Sequence, residues 1–208
     1  MSKPRGSSSG WRERQEKDPW VRKARTEGYR SRAVYKLEEL TRNQGILRRG
    51  MRVADLGAAP GGWSQWVARQ LDDDISVVAV DLLPMDALAG VHFIQGDFRE
   101  QAVLDAVTES VGNERLDLVM SDMAPNISGV KAVDQPRSMY LAELALDFAT
   151  EMLGPKGVFV CKVFQGEGFD EYVRALRRIF VKVAVKKPKA SRPTSTEVYA
   201  LARTPRLV

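Results

Sequence analysis

Thiol and imidazole chemistry are almost missing from this chain, which has one cysteine, Cys161, and one histidine, His92, in 208 residues. A single thiol excludes an intramolecular disulfide. With only one imidazole beside it, a Cys/His zinc site is excluded too. No stretch approaches the roughly 20 apolar residues that span a bilayer. Residues 1–10 also lack the apolar core of a signal peptide. We therefore expect a soluble protein of a reducing compartment, the cytoplasm, acting as a monomer with no metal and no membrane.

What is present is a globular composition, 44% apolar with 28% charged residues, and an uneven charge. Residues 1–50 hold 14 Lys and Arg against 6 Asp and Glu, whereas the remaining 158 hold 18 against 21. A basic extension on a slightly acidic body suits a polyanion, because Lys and Arg displace counterions from phosphates. Solubilising charge is the other reading. Residues 1–30 are expected to be a flexible basic arm and residues 31–208 the folded domain. Within the arm, Trp11 and Trp20 are expected to dock on the body.

From residue 31 to about 45, Ala33, Leu37 and Leu40 follow helical spacing, with Ser31 as the expected N-cap and Lys36 beside the apolar stripe. Strands and helices then alternate. Strands are expected at 52–56, 76–80, 91–97, 116–122 and 157–164, and helices at 62–71, 100–111, 136–153 and 169–180. Two late strands, 181–185 and 197–202, have no helix between them and should be antiparallel neighbours. Alternation of this kind predicts an α/β fold, a mostly parallel sheet with helices on both faces.

In such a sheet, ligands bind beyond the carboxyl ends of the strands. Gly57, Pro60, Gly61 and Gly62 form a small-residue loop between the first strand and its helix, as where a nucleoside cofactor lies across the turn. Asp81, Asp97 and Asp122 fall at three successive strand ends. Asp81 is placed to accept hydrogen bonds from ribose hydroxyls, and Asp97 to accept one near an adenine. A dinucleotide fingerprint requires Gly-x-Gly-x-x-Gly. Here Ala59 takes the second glycine position, with Pro60 next to it. That is poor for a pyrophosphate and better for a cofactor without phosphates, such as S-adenosylmethionine.

Lys162 lies in a strand otherwise apolar on both faces, where an unpaired ammonium is costly. Asp122 ends the neighbouring strand. If the final strand runs antiparallel beside the fifth, Glu197 starts at the same edge. Two acids and a lysine then converge where the reactive end of a cofactor would be.

The runs Asp55-Leu56-Gly57-Ala58-Ala59-Pro60-Gly61-Gly62-Trp63-Ser64-Gln65, Gln95-Gly96-Asp97-Phe98, Ser121-Asp122-Met123-Ala124-Pro125-Asn126 and Lys162-Val163-Phe164-Gln165-Gly166 resemble the FtsJ/RrmJ family. So does Asp81-Leu82-Leu83-Pro84-Met85. The resemblance covers about residues 31–202. It implies a Rossmann-like, seven-stranded S-adenosylmethionine-dependent methyltransferase fold with an antiparallel last strand. It also implies 2′-O-methylation of a uridine of 23S rRNA in the large (50S) ribosomal subunit. The family's catalytic Lys-Asp-Lys-Glu tetrad falls on Lys36, Asp122, Lys162 and Glu197. Its cofactor contacts fall on Gly61, Trp63, Asp81, Asp97 and Asp122.

For the RNA, the basic stretches suggest Arg30, Arg32, Lys189 and Arg192. The residues leave open whether Lys162 acts as a base or as a stabilising cation. Two other classes fit parts of the pattern. A nicotinamide oxidoreductase would need a pyrophosphate site. A ribosome-binding factor without activity would not need Lys162 in an apolar strand.

Overall fold

The computed structural model describes residues 18–42, 44–72 and 74–206. Among these residues two helices, α1 (Pro19–Thr26) and α2 (Val34–Thr41), precede the first strand. The chain then runs β1 (Met51–Leu56), α3 (Gly62–Gln70), β2 (Ile75–Asp81), β3 (Val91–Gln95), α4 (Gln101–Val111) and β4 (Leu116–Ser121). It continues through α5 (Lys131–Met152), β5 (Leu153–Phe164), α6 (Phe169–Ile179), β6 (Phe180–Lys186) and β7 (Glu197–Pro205).

The seven strands form one sheet in the order β3-β2-β1-β4-β5-β7-β6. Only β7 is antiparallel to its neighbours, lying between β5 and β6. This is the mostly parallel sheet anticipated from strand and helix alternation, in the Rossmann-like, seven-stranded form that the family resemblance implies. Strand side chains alternate between faces, and each face packs its own helices. On one, Ala54, Val119, Phe159 and Cys161 meet Val107 of α4, Phe148 of α5 and Leu176 of α6. On the other, Val53, Leu118 and Val160 meet Ala24 of α1, Leu37 of α2 and Val67 of α3. No helix among the described residues is long and apolar enough to cross a membrane.

Several boundaries differ from expectation, β5 starting at Leu153 and β7 running to Pro205 among them, and three have a local physical reason. The described part of the expected arm is not extended: Asp18 caps α1 by accepting from the Trp20 N–H, with Pro19 in the first turn. This helix docks through buried Ala24 and through Trp20, whose ring lies 5.2 Å from that of Tyr35. Trp11 and the rest of residues 1–17 fall outside the described residues. Second, α2 begins at Val34, because the Ser31 hydroxyl accepts from the Ala33 N–H in a preceding turn. Third, α5 begins at Lys131 with Pro136 inside it. The Asp134 carboxylate receives the N–H groups of Ser128 and Gly129 and fixes the entry to that helix.

Candidate active site

The carboxyl edge of the sheet gathers the side chains singled out from the sequence. On β5, Val158, Val160 and Lys162 share a face by the period-two rule, so the lysine occupies a slot that its strand fills with valine. Its side chain is 8% exposed. In the β5–β7 ladder Lys162 pairs with Tyr199 and Phe164 with Glu197. Tyr199 and Glu197, two residues apart, therefore stand on the lysine's face. Asp122 follows the end of β4 directly alongside, its N–H bonded to the Leu56 carbonyl at 3.1 Å.

These groups form a chain of alternating charge. Lys162 Nζ lies 3.1 Å from Asp122 Oδ1 and also donates to the Asp122 carbonyl. The Tyr199 hydroxyl donates to Asp122 Oδ1 at 2.7 Å. Lys36, from α2, donates to the Tyr199 oxygen at 3.0 Å and pairs with Glu197 Oε1 at 2.7 Å. Burial pushes the Asp122 carboxyl up, but the Lys162 and Lys36 charges and the Tyr199 hydrogen bond hold it below its ordinary value. Tyr199 moves the other way: burial, then the charges of Asp122 and Glu197, raise its phenol well above 10, so it remains a donor.

Tyr199 is the member the sequence reading passed over. In Val198-Tyr199-Ala200-Leu201 it reads as an ordinary core aromatic, and it is fully buried. The available signal was its position two residues after Glu197 and, given the strand order, opposite Lys162.

The glycine loop abuts this cluster, since the Trp63 and Tyr199 rings lie 5.8 Å apart. Trp63 is 3% exposed and its indole N–H donates to Ala33 O, so its side chain belongs to the core. Gly57, at φ +80°, admits the Met123 backbone, which a Cβ would meet at 2.9 Å. Gly61, at φ +98°, caps α3 beneath Met85 and Arg30. The Ala59–Pro60 peptide bond is cis. Asp81 is fixed by two N–H groups, Ala59 at 2.9 Å and Leu83 at 2.8 Å. Asp97 is clasped by the Arg99 guanidinium, which holds its carboxyl below the ordinary value.

Of the four basic residues expected to face RNA, two are engaged within the protein. Arg30 donates to the carbonyls of Pro60 (3.3 Å), Asp86 (2.7 Å) and Ala87 (2.9 Å), tying the β2–β3 loop to the glycine loop. Arg32 pairs with Asp18 and donates to Ala190 O. Burial and the nearby Arg192 charge lower its pKa. Lys189 and Arg192 are exposed on the β6–β7 loop.

A family profile described as FtsJ-like methyltransferase matches residues 29–204. Relatives named ribosomal RNA large subunit methyltransferase E, from Stenotrophomonas maltophilia and Xanthomonas oryzae, are 58% and 57% identical. These matches cover 95% and 97% of this chain, and 94% and 96% of the relatives. Among solved structures, a protein described as a ribosomal RNA methyltransferase from Plasmodium falciparum superposes with a TM-score of 0.75 at 27% identity. That match covers 85% of this chain and 98% of the other. The chain belongs to the FtsJ-like methyltransferase family.

Proposed function

We propose that the protein methylates the ribose 2′-hydroxyl of a uridine in 23S rRNA on the large ribosomal subunit, working in the cytoplasm as a monomer. The alternating chain Glu197–Lys36–Tyr199–Asp122–Lys162 at the rim beside the glycine loop carries this reading. S-adenosylmethionine, when bound, supplies a methyl group on a positively charged sulfur.

The residues present fit that donor. Asp81, Asp97 and Asp122 set three carboxylates around the strand ends. The guanidinium nearest the loop, Arg30, is occupied by carbonyls. Such an edge favours a cationic ligand and disfavours a pyrophosphate. Asp81 and Asp97 would hold the nucleoside. The backbone at the start of α3, which includes Gly61 and Trp63, would face the rest of the donor.

The ribose hydroxyl is a weak nucleophile until its proton is leaving. Lys162 is the group placed to take that proton or to stabilise the developing charge. Asp122 orients Lys162, and Tyr199 couples that pair to Lys36 and Glu197, which position the incoming ribose. Alignment of the two reactants supplies much of the acceleration.

The reading is tested by mapping 2′-O-methyl groups in 23S rRNA from a deletion strain. Loss of one uridine methylation, restored by the wild-type gene, is expected; an unchanged map refutes the assignment. Asp81→Ala should weaken donor binding by about 10- to 100-fold in calorimetry, the scale of hydrogen bonds to a charged group. Unaltered affinity would remove Asp81 from the nucleoside site. Lys189→Ala combined with Arg192→Ala should reduce the slope of log affinity for RNA against log salt by about two. An unchanged slope would place the phosphates elsewhere.

A further inference from the structure

A second surface adjoins the rim, on the face opposite the basic β6–β7 loop. It starts in the loop after Asp122, where Ile127 is 62% exposed and Val130 55%. It continues along α5 through Val133, Arg137 and Tyr140, which is 49% exposed. Residues 130, 133, 137 and 140 lie on one helical face by spacing, and the row spans about 15 Å at 1.5 Å per residue.

Apolar side chains exposed in a row are usually a contact surface, and this row is held in place. Asp134 accepts from the Ser128 N–H (2.9 Å), the Ser128 hydroxyl (2.8 Å) and the Gly129 N–H (2.9 Å). Gln135 ties the first turns of α5 to the edge of the sheet by donating to the carbonyls of Phe164 and Glu167. The loop that follows Asp122 is therefore pinned at Ser128 and Gly129, between Ile127 and Val130.

We propose that this row receives the unstacked nucleotides that flank the methylated one, resting on the function proposed above. Covalent connectivity is the reason. A ribose seated against Lys162 and Asp122 carries neighbours on its own backbone, and the strand leaving the rim on this side passes over Ile127 and Val130. Apolar and aromatic side chains take the faces of bases without regard to sequence, and guanidinium planes both stack and meet phosphates. Arg137 supplies that charge, and Tyr140 the ring. The two sides of the rim then divide the work, Lys189 and Arg192 meeting phosphates and the α5 row meeting bases.

The test compares wild type, Tyr140→Ala, Tyr140→Phe and the double variant Ile127→Ser, Val130→Ser in methylation of large subunits, with donor affinity measured alongside. We expect Tyr140→Ala and the double variant to raise KM for subunits about tenfold, the scale of one lost base stack. Donor affinity and kcat should stay within twofold, and Tyr140→Phe should behave as wild type. A benzophenone side chain at position 140 should crosslink to 23S rRNA beside the methylated nucleotide. Unchanged KM in the variants, or a crosslink to a ribosomal protein instead of RNA, overturns this surface while leaving the methylation standing. Subunits left unmethylated by the wild-type protein overturn both.

Discussion

Replacing Lys162 by alanine should slow single-turnover methyl transfer to large subunits by on the order of 10³-fold, while donor affinity changes little. Among the described residues the ammonium is the one cationic group in direct contact with Asp122, so no described neighbour substitutes for it. Because Lys162 stands in a valine-like slot of β5, Lys162→Met keeps the packing and separates chemistry from folding; it should be as slow as Lys162→Ala. Lys162→Arg distinguishes the two roles. A guanidinium keeps the positive charge but cannot accept a proton at neutral pH. Substantial activity in Lys162→Arg identifies charge stabilisation, and loss comparable to alanine identifies proton removal. Wild-type turnover in Lys162→Ala would take the residue out of the mechanism.

Stability should also respond to pH through Asp55. Its side chain is buried at the end of β1; Oδ2 accepts from the Ser64 hydroxyl (2.6 Å) and N–H (3.1 Å), while Oδ1 has no partner among the described residues. Burial pushes the carboxyl from 3.8 up to about 7, against the Ser64 hydrogen bonds and with help from the Asp122 and Asp81 charges. A folded-state pKa above the unfolded one means that the native state binds the extra proton. The resulting stability is fully present below about pH 4 and is lost as pH rises through 7. Each unit costs about 1.4 kcal/mol, and the whole interval on the order of 4 kcal/mol.

Other acids oppose this trend, so the informative quantity is a difference. Asp55→Asn keeps an acceptor for Ser64 and removes the titration. Its stability relative to wild type, from urea unfolding between pH 5 and 8, should rise with pH up to about 7 and level off above it. Parallel curves would show that Asp55 does not titrate in this range.

Much of this was legible in the chain because the physics was local. The apolar strands announced themselves, and the acids at their ends fell where an open parallel sheet binds ligands. Lys162 was conspicuous by cost, a charge in a strand with no room for one. Even the arrival of Glu197 at the same rim followed from two strands lacking a helix between them.

What stayed hidden depended on contacts between distant segments. Nothing near Tyr199 marks it as a link between two charged pairs. Arg30 and Arg32 look like surface charge until the carbonyls of Pro60, Asp86, Ala87 and Ala190 come within their reach. Helix α1 has a proper Asp18-Pro19 start, yet its polar composition hides the patch around Ala24 and Trp20 that docks it.

The placement of β7 has a temporal consequence. The carboxylate of Glu197 and the phenol of Tyr199 sit in the last strand laid into the sheet, between β5 and β6. A nascent polypeptide can assemble β1 to β4 and their helices while this ribbon is still inside the exit tunnel, yet Lys36 and Asp122 then lack the pair that joins them. Closure of the chain from Glu197 to Lys162 therefore waits for β7, the last of the described strands to be translated.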